Sequence, residues 1–151
     1  MSIESKALFT LEASVAEPQV TAKGPYGERR YIPVTGGKVS GERISGVLLP
    51  GGADCQLVRP DGVIEMDVRV TIQTDDGETI LMKTLGLRHA REEVLKRMMT
   101  GDKVERSEYY FREFVIVEAP DGPYTWLNKL IAIGDGERRP DLVILDVFEI
   151  L

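Results

Sequence analysis

The stretch that most constrains this chain runs from Val63 to Gly86, VIEMDVRVTIQTDDGETILMKTLG, where two runs rich in Val, Ile, Leu and Thr flank Asp76-Gly77. Such runs fit a pleated, half-buried surface, and Asp-Gly tolerates the positive φ angles of a two-residue type I′ turn, so the stretch predicts a hairpin. With the turn at Asp76-Gly77, Thr74 faces Thr79, Ile72 faces Leu81, Val70 faces Lys83 and Val68 faces Leu85, which makes one face largely apolar. The other face carries Asp67, Arg69, Thr71 and Gln73 opposite Gly86, Thr84, Met82 and Ile80. The expectation adopted is that Val70 looks inward; an inward Arg69 would instead make a polar lumen.

The rest of the chain repeats this theme. Ala7 to Val15 alternates as a strand, and Arg29 to Val34 is a short extended piece that Pro33 pushes towards an edge or bulge. Gly36 to Asp54 holds glycines at 36, 37, 41, 46, 51 and 52 but no Gly-Lys-Ser/Thr ending, so it reads as strands bent at barrel corners and not as a phosphate loop. Cys55 to Pro60 is a further short strand. The single convincing helix spans about Arg91 to Thr100, with Glu92 and Glu93 in its first turn, Lys96 and Arg97 four residues on, and Gly101 to end it. Strands at Glu108 to Glu118, Tyr124 to Ile133 and Leu142 to Ile150 follow, joined by Ala119 to Pro123 and Gly134 to Pro140. Strand upon strand with one short helix predicts an all-β fold: a single domain over residues 1–151, an antiparallel β-barrel of about eight to nine strands.

Composition narrows the function. The chain has 42% hydrophobic and 29% charged residues and a net charge of -6, which opposes phosphate backbones and anionic lipid, so neither nucleic acid nor membrane is expected as a partner. Cys55 is the only cysteine and His89 the only histidine, which leaves no disulfide and no Cys-based zinc site, argues against a His-rich metal site, and fits a reducing cytoplasm. No metal and no cofactor is expected.

The ordered succession TGGKVSGERISGVLLPGGAD, RPDG, TDDGETI, GLRH, SEYYFR, YTWLN and LDVFEIL resembles domain-of-unknown-function family 3237 over nearly the whole chain. The resemblance implies a barrel similar to those of allene oxide cyclase and dirigent proteins, with a small, largely apolar ligand in the lumen. Two departures bear on the pocket: Cys55 stands where an aromatic residue is expected, and EFVIVE replaces a more polar run containing Thr-Pro.

Polar side chains on a barrel's hidden face are either paired with one another or present for a ligand. Asp54 follows the Gly51-Gly52 turn and either caps it or projects into a cavity, where burial would raise its pKa towards acid–base use. Tyr109 could exchange a proton with a developing enolate and Arg112 could hold its oxygen, although the two alternate along one strand and need a twist to converge. Candidate ligand contacts are Arg30, Arg69, Trp126 and Asn128. For each, packing, capping or a solvated surface is the competing explanation. The expected function is binding of a partly apolar, carbonyl-containing small molecule, with cofactor-independent isomerase, cyclase or lyase chemistry. A non-catalytic carrier and an assembly module that forms a homo-oligomer through exposed apolar strands are the alternatives.

Overall fold

The computed structural model describes residues 2–151. Ten strands and one α-helix follow in chain order: β1 Ser5–Val15, β2 Gln19–Val20, β3 Glu28–Ser40, β4 Gly46–Leu48, β5 Ala53–Val58, β6 Ile64–Thr74, β7 Thr79–Ala90, α1 Glu92–Met99, β8 Tyr109–Glu118, β9 Ala132–Arg138 and β10 Leu142–Ile150. Antiparallel pairing runs β1-β10-β9-β8-β7-β6, then β4 and β5 together occupy the place between β6 and β3. Strand β3 pairs back onto β1, from Thr10 with Ser40 to Val15 with Val34, and this closes an eight-position barrel. The all-β barrel with one short helix is therefore as the residue pattern predicts. Among the described residues no helix is long and apolar enough to cross a membrane.

The opening hairpin differs from its prediction by one residue. Gly77 N–H donates to Thr74 O and Thr74 N–H to Glu78 O, each at 2.9 Å, so Asp75, Asp76 and Gly77 form a three-residue loop. Only Gly77, at φ 95°, takes a positive φ, which spares Asp76 the left-handed conformation that a type I′ turn would require. The Thr74 hydroxyl accepts from Glu78 N–H at 2.9 Å and donates to Asp76 at 2.6 Å, stabilising this longer loop. Ile72 thus faces Ile80, Val70 faces Met82 and Val68 faces Thr84. Val70 looks inward as expected, but the slip turns β7 over: Ile80 and Met82 enter the core, whereas Leu81, Leu85 and Leu87 are exposed beside Phe114 and Ile116 of β8.

The second difference lies between β8 and β10. Tyr124 to Ile133 is not one strand; Thr125–Lys129 forms a 3-10 turn, and the strand is Ala132–Arg138, which starts at the last two residues of the expected strand and runs on through most of the expected Gly134 to Pro140 linker. Thr125 accepts from Gly122 N–H at 2.9 Å, and Asn128 clamps Ala119 through both its backbone groups at 2.8 and 2.9 Å. These bonds hold the segment as a turn. Gly134 and Gly136 suit a strand here because Leu145 and Phe111 lie across them; a Cβ on Gly136 would sit 2.4 Å from the Phe111 ring.

Two apolar clusters fill the ends of the barrel. One gathers Ile72, Ile80, Val115 and Val147 around Leu127 of the 3-10 turn. The other packs Val94 of α1 onto Ile64, Met66, Tyr109 and Phe111. The helix carries the expected charge pattern, with Lys96 2.8 Å from Glu92 one turn back. Ile80 is fully buried and Leu81 half-exposed. Chemical denaturation should therefore show Ile80→Ala losing about 2–5 kcal/mol and Leu81→Ala less than about 1 kcal/mol. The reverse ranking would restore the two-residue turn.

Candidate functional site

Between the two apolar clusters, strand alternation sends a belt of polar side chains into the lumen: Asp54 and Gln56 from β5, Thr84 and Arg88 from β7, Glu113 from β8 and Arg138 from β9. The remaining wall is apolar, including Leu11, Ala13, Val34, Val70 and Leu145. The space left is small. About 50 Å³ is open to the centre of a water-sized sphere, enough for a few waters or a compact ligand group, since one water needs roughly 10–15 Å³ on that measure.

Glu113 is 5% exposed, and the neighbouring strands make room for it. Its cross-strand partners are Gly86 on β7 and Gly134 on β9. A Cβ on Gly86 would lie 2.5 Å from Glu113 Cγ, so the carboxyl side chain folds over a position that only glycine leaves open. Burial, with Asp54 adding repulsion, raises the Glu113 pKa to about 7. Nearby Arg88, and the Thr84 hydroxyl beside it, oppose the shift without cancelling it.

Asp54 accepts hydrogen bonds from Gln56 Nε2 at 2.6 Å and from Asp67 N–H at 3.2 Å. The β5–β6 ladder is interrupted across Cys55 and Gln56, where Asp54 takes the Asp67 donor for itself. Burial raises the Asp54 pKa, and the two hydrogen bonds restrain the rise. Arg88 is 8% exposed, its guanidinium 5.7 Å above the Phe111 ring, and its Nε has no hydrogen-bond partner. Burial lowers its pKa to about 10, with repulsion from Arg138 adding to the effect and Asp54 opposing it. Gln56 Oε1 and Arg138 Nη1 are also buried without partners. Each unsatisfied group costs about 1–3 kcal/mol when no water or ligand meets it, more if charged, and several aimed into one cavity mark a place for a polar molecule.

Of the residues singled out from sequence, Asp54 lies in this belt. Tyr109 is buried, but its hydroxyl accepts from Arg138 N–H at 3.1 Å and its ring packs beneath α1. Arg112 points outward to Asp135 at 2.6 Å and lies over the Tyr110 ring, because odd-numbered residues of β8 face the lumen and even-numbered ones face out. Tyr109 and Arg112 therefore do not converge. Arg69 is exposed on the outer face of β6, 4.0 Å from Asp67, as an inward Val70 requires. Arg30 shares the parity of Ile32 but ends half-buried at the barrel's end, 2.9 Å from Glu28. Trp126 sits under the Arg43 guanidinium at 4.4 Å and Asn128 holds Ala119, so both serve the 3-10 turn and neither lines the lumen. Cys55 is exposed, and His89 stacks on Tyr110 outside the barrel.

Glu113, Arg88, Gln56, Thr84 and Arg138 were not among the candidates. The signal for Glu113 was present: it shares parity with Phe111, Val115 and Val117 in an alternating strand. Arg88 was hidden by the one-residue slip in β7, and Arg138 by the reading of its strand as a linker. Among the described residues no three His, Cys, Asp or Glu side chains gather as a metal site would need.

The model of the family described as Protein of unknown function (DUF3237) matches residues 3–150. The chain belongs to that family. Within DUF3237 it is similar to a UPF0311 protein of Rhodopseudomonas palustris, 36% identical over 99% of this chain and 98% of the relative. A crystal structure of a conserved protein of unknown function from the same species superposes with a TM-score of 0.93 at 34% identity, covering 100% of this chain and 99% of that one. The protein with unknown function from Clostridium acetobutylicum gives 0.89 at 32% identity, with 100% and 99% covered. An enzyme from Penicillium herquei gives 0.74 at 20% identity, with 100% and 96% covered, which shows a shared fold.

The Glu113 shift has a consequence for stability. Its folded-state pKa of about 7 lies above the ordinary 4.5, so the folded state binds the proton more tightly. Stability is undiminished below pH 4.5, falls as pH rises towards 7, and levels off above, for a loss of up to about 3 kcal/mol. Glu113→Gln should remove that fall: thermal unfolding across pH 4.5 to 8.5 is expected to show the variant gaining on the parent as pH rises.

Proposed function

We propose that the lumen binds a partly apolar, carbonyl-containing metabolite and carries out cofactor-independent proton transfer on it, as an isomerase, cyclase or lyase does. The observation that carries this reading is Glu113, a buried carboxyl whose pKa of about 7 suits both proton removal and proton return at neutral pH. In the ionised form it takes a proton from the carbon beside the carbonyl. Arg88 donates to the oxygen, where the negative charge collects as the enolate forms. Protonated Glu113 then returns the proton to a second carbon or to the ring-closed product, with the mass unchanged, or, in the lyase case, to the departing fragment, so that two products together carry the substrate's mass. Asp54, held by Gln56 and Asp67, keeps a second carboxylate beside Glu113 and so sustains its raised pKa. That the Penicillium herquei protein of this fold is described as an enzyme agrees with the proposal.

The rival reading is a non-catalytic carrier, favoured by the apolar majority of the cavity wall. Bacterial extracts incubated with the purified protein, followed by chromatography and mass spectrometry, separate the two. Catalysis predicts a compound converted to an isomer of equal mass, or to two products whose masses sum to it, with turnover reduced about 10²- to 10⁴-fold in Glu113→Gln and unchanged in Arg112→Met. Undiminished turnover in Glu113→Gln would remove Glu113 from the chemistry, and a compound that co-purifies and is released unaltered would make the barrel a carrier.

A further inference from the structure

The lumen places two guanidiniums close enough to repel one another, Arg88 on β7 and Arg138 on β9, and each has a buried nitrogen with no hydrogen-bond partner. Of the carboxylates near them, Asp54 is turned to Gln56 and the Asp67 N–H, one bond to each oxygen, and forms no ion pair with either guanidinium. Glu113 folds over Gly86. We infer that the physiological ligand is the anion of a partly apolar carboxylic acid, its carboxylate seated between Arg88 and Arg138 and its hydrocarbon part along Leu11, Ala13, Val34 and Leu145. The inference rests on the lumenal reading above and narrows it to an oxo acid.

Charge and donor geometry both point this way. Both guanidiniums face the same cavity, each keeps a buried nitrogen without a partner, and neither forms an ion pair with Asp54 or Glu113. A ligand carboxylate supplies acceptors for both. A neutral carbonyl group would meet one orphaned guanidinium and leave the other unpaired, whereas the two oxygens of a carboxylate meet both. Arg88 has five N–H donors, so it serves a ligand carbonyl and one carboxylate oxygen together. A phosphate dianion fits poorly, because it has more oxygens to hydrate than the small, mostly apolar space allows.

Isothermal calorimetry at pH 7 with hexanoate, methyl hexanoate and 1-hexanol tests the point, since the three share an apolar body and only the first is an anion. Hexanoate is expected to bind at least tenfold more tightly than either neutral compound. Arg88→Met and Arg138→Met should each abolish that preference while methyl hexanoate still binds, and Arg69→Met, on the outer face, should leave it intact. Arg138 is only partly buried, so its variant tests the site even if Arg88→Met does not fold. Equal affinity for hexanoate and methyl hexanoate would overturn the anion inference and leave the lumenal reading standing. Binding of none of the three would overturn both. A preference that persists in Arg138→Met would overturn the seat assigned to the carboxylate.

Discussion

The pairing of β1 with β10 on one side and β3 on the other gives the molecule an inside. Without that closure the sheet would be open, and each side chain now in the lumen would face solvent or another molecule. Closure divides each strand into an enclosed row and an outer row. The enclosed row is apolar at both ends, around Leu127 and beneath Val94, apart from Thr74 at the β6–β7 loop, and its charged groups lie in the belt between. Burial of the apolar ends offsets the cost of that belt. Deeply buried Ile72, Ile80, Leu127, Leu145 and Val147 each stabilise by about 1.5–3 kcal/mol, against a cost of about 1–3 kcal/mol for each polar group left unsatisfied.

Whether a barrel this small keeps a cavity depends on where glycine stands opposite a large residue. Phe111 lies over Gly136, Leu145 over Gly134, and Glu113 between Gly86 and Gly134. The large side chains lean onto bare backbone, and the space beside them remains open. The same arrangement removes Glu113 from water, which raises its pKa, and leaves Arg88 nearby with an unpaired nitrogen. The acid–base role and the anion site proposed above would thus share one cause, the burial of opposite charges that are close but not joined in an ion pair.

Legibility from sequence followed the range of the interactions concerned. Leu142–Ile150 was bounded correctly and the helix nearly so, because alternation and terminal charges act within a few residues. The Val63–Gly86 hairpin was recognised, yet its register turned on the Thr74 hydroxyl and on Gly77 alone taking positive φ, and a one-residue slip exchanged Leu81 for Ile80 in the core. Tyr124 to Ile133 resembled a strand by composition. It became a turn because Asn128 reaches Ala119, nine residues away. Among the site candidates Asp54 reaches the lumen, whereas the strand parity of Arg112 and Arg69 puts them on the outer face.

By itself, the sequence determined the all-β class, the single helix and the family, since each is written in local periodicity or in an ordered set of motifs, and it favoured without deciding the inward face of β6. Only the tertiary structure decided which charges meet. Asp54, Arg88, Glu113 and Arg138 come from four strands whose relative register depends on loop hydrogen bonds and on glycines opposite large side chains. A shift of one residue in any of those strands would send its charge to the other side of the sheet.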